Sequence, residues 1–404
     1  MAINKKLIHF KEKADFVNEV ANNNILYHSI VFIQDSKEIS THGTVYKTVN
    51  WSVLKRKLDY MKVVALEDGL TVSFTNPLEY SFDETTWQSL PANTGTPAIN
   101  KDQYVAFRAK LTPVTYSGIG TFSINKQCDL KGNCMSLLFG DDFSDKVDLT
   151  GYSYAFSKLF YNQSNIKSVN PGFLPATTLA NSCYQDMFNA CKSLTTAPEL
   201  PAATLASSCY FGMLVSCYSL TIAPELPATT LASNCYGNMF SDCTGLTTAP
   251  KLPATTLADS CYKSMFYNCR SLTTASELPA TTLAYYCYQD MFYNCRSLTT
   301  APKLPATTLA GYCYQRMFSS CYDLTTAPEL PATTLAVRCY DEMFYNCSKL
   351  NYIKALFTTT PGTSCTNDWV KNVSSTGTFV KSKDATWDVT GVDGVPENWT
   401  VEVA

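Results

Sequence analysis

The stretch that decides the fold is Leu174-Pro-Ala-Thr-Thr-Leu-Ala-Asn-Ser-Cys-Tyr-Gln-Asp-Met-Phe-Asn-Ala-Cys-Lys-Ser-Leu-Thr-Thr-Ala-Pro-Glu199. The same 26-residue unit recurs seven times without insertion, from Leu174 to Ala355, with Pro175, Pro201, Pro227, Pro253, Pro279, Pro305 and Pro331 marking the period. A fixed period of this length is the signature of stacked repeats, which present long surfaces rather than one deep cleft. Within the unit, Cys183, Met187 and Cys191 stand at i, i+4 and i+8, with Tyr184 and Phe188 one step on. This spacing predicts one face of a short helix, with Asn181 and Ser182 as N-cap candidates. Leu194-Thr-Thr-Ala197 predicts a short strand, ended by Pro198.

One unit cannot fold by itself. Its six or seven buried side chains contribute about 1.5–3 kcal/mol each. Ordering its residues costs about 1.5 kcal/mol apiece. Stacking must supply the rest, and seven layers at ~4.8 Å predict a rod of roughly 35 Å.

Core positions barely change between units; Ala203 for Thr, Leu214 for Phe and Ser276 for Pro are the departures. Other columns vary freely. The pair before the first Cys runs from Asn181-Ser182 to Tyr285-Tyr286, Gly311-Tyr312 and Val337-Arg338. The position after Met-Phe reads Asn189, Val215, Ser241, Tyr267, Tyr293, Ser319 and Tyr345. Both columns are expected to face solvent, as drift or as a ligand-facing ladder. The ladder reading nominates Tyr267, Tyr285, Tyr286, Tyr293, Tyr312 and Tyr345 with Arg270, Arg296 and Arg338, because Tyr and Arg are enriched at interfaces.

The run Cys183-Tyr-x-x-Met-Phe-x-x-Cys191-x-x-Leu194-Thr-x-Ala197 resembles BspA-type leucine-rich repeats, over residues 174–355. It departs in its first Cys, where that family usually has Ile or Val. The resemblance implies a curved solenoid on a surface-exposed binding protein, without catalytic residues. Upstream, Phe160, Ile166 and Val169 match Phe188, Leu194 and Ala197, and Gln163 stands where Cys191 would be. The fold class expected is therefore α+β: a leucine-rich-repeat solenoid with a short strand and a short helix per coil. Residues 1–50 form an N-terminal α/β attachment module and 51–150 a β-rich domain. Residues 151–173 form a cap repeat, 174–355 the seven repeats and 356–404 a small β-rich C-terminal cap.

The flanks add a second resemblance. Asn22-Asn23-Asn24-Ile25 leads into Ser29-Ile-Val-Phe-Ile-Gln-Asp-Ser-Lys-Glu-Ile-Ser-Thr-His-Gly43, which resembles an N-terminal module of fibre and structural proteins of phages infecting Bacteroides-type bacteria. Gly132-Asn-Cys-Met-Ser-Leu-Leu-Phe-Gly-Asp-Asp-Phe143 and the segment from Trp387 to Val401 resemble neighbours of such repeats in gut Bacteroidales and their phages. These imply a virion protein, assembled in the host cytoplasm. The N-terminal module would bind other virion structural proteins and form a homo-oligomer, and the repeats would meet a host cell-surface glycan or protein. A bacterial surface adhesin and a polysaccharide-degrading tail enzyme are the alternatives.

Composition narrows the remainder. With 46% hydrophobic residues, 25 Tyr and 21 Phe, the chain is globular. A net charge of −3 leaves no electrostatic footprint for nucleic acid. No run of 18 apolar residues predicts a membrane span. Met1 is followed by charges at Lys11, Glu12 and Lys13 rather than an apolar core, so export by the ordinary secretory route is not expected. Of 17 cysteines, 14 lie in the repeats at C-x7-C spacing. That spacing does not match zinc sites; buried free thiols are favoured, with some disulfides as the alternative. Lys55-Arg56-Lys57 reads as a solvated face.

Phe16, Val17, Val20 and Ala21 predict a helical face, and Ile30-Val31-Phe32-Ile33 a buried strand. Ser81-Phe-Asp-Glu-Thr-Thr-Trp87 looks like a turn-stabilising Asp-box hairpin, with Thr85 where that motif prefers Gly. Asp141, Asp142, Asp145 and Asp148 could hold calcium or form a solvated loop. His9, His28 and His42 read as structural. No cofactor, no metal ligand set and no catalytic pairing is expected.

Overall fold

The computed structural model describes residues 58–362 and 364–404, and the backbone of four strands before them. The chain divides into two compact units, Met1–Leu58 and Asp59–Ala404. In the first, β1 (Leu7–Phe10), β2 (Ile30–Ile33), β3 (Glu38–Thr41) and β4 (Thr44–Thr48) form a sheet in that order. β1 and β2 are parallel and the other pairs antiparallel. The expected helical face at Phe16–Ala21, His28, His42 and the Lys55-Arg56-Lys57 run lie outside the described residues.

The second unit is β-rich and holds three sheets. The largest has six strands in the order β12-β11-β5-β9-β7-β8. These are β5 (Met61–Ala65), β7 (Leu78–Ser81), β8 (Gln88–Leu90), β9 (Tyr104–Arg108), β11 (Cys128–Lys131) and β12 (Ile166–Val169). Alternation along β5 buries Met61, Val63 and Ala65, the period-2 pattern of a half-buried strand. β6 (Val72–Phe74) pairs with β10 (Phe122–Ile124). Parallel strands β13 (Tyr352–Ala355), β14 (Thr378–Lys381) and β15 (Thr400–Val403) form the third sheet. Among the described residues the one α-helix is α1 (Ser136–Phe139), followed by a 3-10 turn at Gly140–Asp142.

This overturns the expected leucine-rich-repeat solenoid with a helix in each coil. The segment Ser182–Cys191 is a run of turns. Every fourth residue has left-handed backbone: φ is 54° at Ser182, 53° at Asp186 and 62° at Ala190. A helix sends every N–H back four residues along its own axis. Here alternate N–H groups leave the unit. Cys183, Met187 and Cys191 donate to carbonyls three residues back, at 3.1–3.3 Å. Tyr184, Asp186, Phe188 and Ala190 donate instead to Cys209, Phe211, Met213 and Val215 of the next unit, at 2.8–3.0 Å. The expected strand at Leu194–Ala197 is likewise reduced to single bridges such as Ser168↔Thr196 and Ile222↔Thr248.

The pattern places the core. In each four-residue turn the first two side chains point in and the fourth sits at the left-handed corner. Tyr184, Tyr210, Tyr236, Tyr262, Tyr288, Tyr314 and Tyr340 form one buried column, its rings nearly parallel with centroids 5.8–6.1 Å apart. A phenylalanine column runs beside it, as at Phe266 and Phe292, 5.6 Å apart. All 14 repeat cysteines are buried and unpaired. The second Cys of each unit also donates a weak hydrogen bond to the Phe or Leu carbonyl one unit back; Cys243 Sγ to Leu214 O is 3.1 Å. The thiol is therefore a donor as well as a packer.

Both ends continue the register. Tyr154, Phe156, Lys158, Phe160 and Asn162 donate to Asn181, Cys183, Gln185, Met187 and Asn189. Phe160 stacks on Phe188 at 5.4 Å. Gln163, in place of a cysteine, accepts from Ile124 N of β10 at 2.9 Å, tying the first layer to the sheet region. At the far end Glu342, Phe344 and Asn346 donate to Asn367, Trp369 and Lys371. The indoles of Trp369, Trp387 and Trp399 each donate to a backbone carbonyl, at 2.8–3.0 Å.

Candidate functional site

The outer face of the repeats is built by the left-handed corners. The corner before the first Cys holds Ser182, Ser208, Asn234 and Ser260 in the first four units. Small polar residues tolerate positive φ best after glycine. In the last three units the same corner holds Tyr286 (φ 58°), Tyr312 (59°) and Arg338 (49°). Large side chains at such φ carry a local cost, and residues held there cluster at functional sites.

These side chains meet. Tyr286 and Tyr312 have centroids 4.5 Å apart. Tyr285 packs edge-on to Tyr286 at 4.9 Å and lies 5.6 Å from Tyr312. Lys263 Nζ stands 5.4 Å over the Tyr286 ring, and the Arg338 guanidinium 5.8 Å over Tyr312. Tyr285 is 42% exposed. Gly311 makes room for it: a Cβ there would fall 2.6 Å from the Tyr285 ring.

The other nominated residues form separate groups. Tyr267 and Tyr293 stack face to face at 4.7 Å. Tyr345 lies under Lys371, 5.6 Å from its ring. Arg270 and Arg296 are bound by Nε to Asn268 and Asn294 at 2.8 and 2.9 Å. Those asparagines belong to a side-chain ladder, Asn294 Nδ2 donating to Asn268 Oδ1 at 2.6 Å and Asn268 to Asp242. The column after Met-Phe does not simply face solvent. Its tyrosines are half-buried, and Ser241 and Ser319 lie below their taller neighbours, 7% and 1% exposed.

Between the two tyrosine groups runs a polar strip that the sequence reading missed. Gln289 Nε2 donates to Gln315 Oε1 at 2.6 Å, and Gln315 Nε2 to Asp341 Oδ2 at 2.8 Å. Asp290 pairs with Arg316, Nη2 to Oδ2 at 2.9 Å and Nε to Oδ1 at 2.8 Å. Burial pushes the Asp290 carboxyl above its ordinary value, with Arg316 opposing. The available signal was the corner column itself, rich in Ser, Asn, Asp and Gly at a strict spacing of four.

The sheet region places the remaining candidates. Asp83 Oδ1 accepts from Thr85 N at 2.8 Å and Thr86 N at 2.7 Å, and Ser81 Oγ from Glu84 N at 2.9 Å, closing the β7–β8 hairpin. Those backbone donors hold the Asp83 carboxyl below its ordinary value. The positive φ of this turn falls on Glu84 (60°), not Thr85. Asp141 accepts from Arg108 Nη1 at 2.7 Å and from the Tyr60 hydroxyl at 2.8 Å. Asp142 pairs with Lys110 at 3.3 Å, and Asp148 accepts from Thr150 N at 2.7 Å. Among the described residues, no group of three or more His, Cys, Asp or Glu is arranged around a metal position. No helix among them is long and apolar enough to cross a membrane. No family model, curated protein or solved structure matches the chain.

Proposed function

We propose that this chain is a non-enzymatic surface protein of a phage virion, fibre-like or capsid-decorating, which engages the host surface through the outer face of its repeat stack. One observation carries the adhesive reading: three successive units place Tyr286, Tyr312 and Arg338 at left-handed corners where the earlier units have Ser or Asn. The core does not need these side chains, since its buried Cys, Tyr, Met, Phe, Cys and Leu columns run through every unit with Leu214 as the one change. Their gathering with Tyr285 makes a rigid aromatic patch, the kind of surface on which binding energy concentrates. Several copies on one particle would add avidity. The virion assignment rests on the N-terminal segment's resemblance to phage structural proteins.

The test is immunogold labelling of virions and Bacteroidales cells, with binding of the purified chain to those cells. Label on particles, and cell binding lost in a Tyr285→Ser, Tyr286→Ser, Tyr312→Ser variant, is expected. Label on the cell envelope with bare particles would make the chain a bacterial adhesin. Undiminished binding by the triple variant would remove the patch from the function.

A further inference from the structure

We infer that the patch of Tyr285, Tyr286 and Tyr312, bracketed by Lys263 and Arg338, takes a carboxylated polysaccharide lying along the stack. This rests on the adhesive reading above and specifies its ligand. Tyr286 and Tyr312 pack on each other, so they present ring edges and hydroxyls outward beside the exposed Tyr285, and such a surface suits the apolar patches and hydroxyl rims of pyranose rings. The charges at the two ends suit carboxylates. Lys263 makes no ion pair among the described residues. Arg338 reaches Asp341 only at 3.9 Å, with half of its side chain exposed.

Three carboxylates lie nearby: Asp341 and Asp290 are buried, Asp290 being paired with Arg316, while Asp259 is exposed and makes no ion pair among the described residues. Asp341 accepts from Gln315 and from Asn367 Nδ2, at 2.8 and 3.2 Å. Asp259 Oδ1 accepts from Tyr285 N at 3.0 Å. Lys263 belongs to the layer of Ser260, three layers before Arg338. At ~4.8 Å per layer, the cations stand roughly 14 Å apart along the stack. That span matches acidic groups on different residues of a polymer, not the single carboxylate of a free sugar acid. Gly311 is the one glycine in its column (Asn181, Ser207, Ser233, Asp259, Tyr285, Gly311, Val337) and it lies where Tyr285 needs the space.

Affinity electrophoresis through gels containing polygalacturonate, its carboxyl-reduced form, dextran or single-stranded DNA tests the inference. Polygalacturonate should retard the full chain, and carboxyl reduction should weaken this about ten-fold. Retardation should fall steeply with added salt. Lys263→Gln and Arg338→Gln should each weaken it about five-fold, and Tyr286→Ser about ten-fold or more. Tyr218→Ser, an exposed tyrosine of an early unit, should leave it unchanged. Equal retardation by dextran, or indifference to both cation substitutions, would overturn the acidic ligand while leaving adhesion standing. Retardation by DNA alone would overturn it in favour of a polyphosphate. Failure of every polysaccharide, with binding to Bacteroidales cells intact, would also overturn it and point to a protein receptor. Failure of both gels and cells would remove the adhesive reading too.

Discussion

The first four units and the last three share one interior and differ on the outside. Cys, Tyr, Met, Phe, Cys and Leu recur from Cys183 to Leu350, with Leu214 as the one change, and all are buried. Outside, small corners at Ser182, Ser208, Asn234 and Ser260 give way to Tyr286, Tyr312 and Arg338. The difference teaches that layer-to-layer bonding tolerates almost any outer side chain. At the corner before the first Cys it uses backbone N–H groups and inward columns; the side-chain ladders of Asp242, Asn268 and Asn294 and of Asp290 and Arg316 stand at the other corners. The outer face there can therefore vary at a cost of backbone strain alone.

The largest expected effect tests the shared interior. Burial pushes the thiols of Cys183, Cys243 and Cys347 up to about 12 from an ordinary 9.0. A folded-state value raised in this way gives stability that is complete below pH 9 and lost as pH rises toward 12, since only the unfolded chain releases the proton. Thermal melts should show stability steady to about pH 9 and collapsing through about pH 11, with early and late units melting together. Two separate transitions would break the claim of a uniform core. In the same conditions at neutral pH, iodoacetamide should leave Cys183 and Cys191 unreacted until the chain unfolds.

Next in size, Phe266→Ala and Phe292→Ala, each at a ring stacked on phenylalanines in both directions, should each cost about 3–5 kcal/mol in urea unfolding. Their difference should stay within about 1 kcal/mol, because the two sites are equivalent layers. The corners should behave oppositely in the two halves. Tyr286→Asn should stabilise by about 1 kcal/mol and Ser208→Tyr should destabilise by a similar amount, through the strain of a bulky residue at positive φ. Equal effects at both would show that the late corners carry no strain. Smallest, Tyr288→Phe removes a buried hydroxyl that has no hydrogen-bond partner. It should be neutral or stabilising by up to about 1 kcal/mol.

The repeat length, its inward columns and the degenerate layer at Phe160 were legible in the sequence, because a stacked core forces identity at each contact. The secondary structure was not. Cys183, Met187 and Cys191 at i, i+4 and i+8 fit a helical face over nine residues, and so does a chain turning every four. The two diverge only in the fourth residue, where Asn234, Asn238 and Asp242 or Asp290 and Asn294 favour the left-handed corner that a helix excludes. Of the candidate site, the tyrosines could be read as variable. Their division into a bracketed cluster and a separate stacked pair follows from the register between layers, which one sequence does not display. Lys263 lay in a column that looked like background for the same reason, and Gly311, though in a nominated column, has no side chain to suggest that it makes room for Tyr285.

Alternate N–H donation has a consequence for how such a chain can lengthen. Each layer presents the same donors forward and the same acceptors backward, so a unit inserted or deleted between two others leaves every neighbour with an equivalent partner. Duplication in steps of 26 residues would change reach by ~4.8 Å at a time while the terminal layers at Phe160 and Trp369 stayed as they are. Reach and surface chemistry thus become separately heritable, one in the number of units and the other in what stands at their corners.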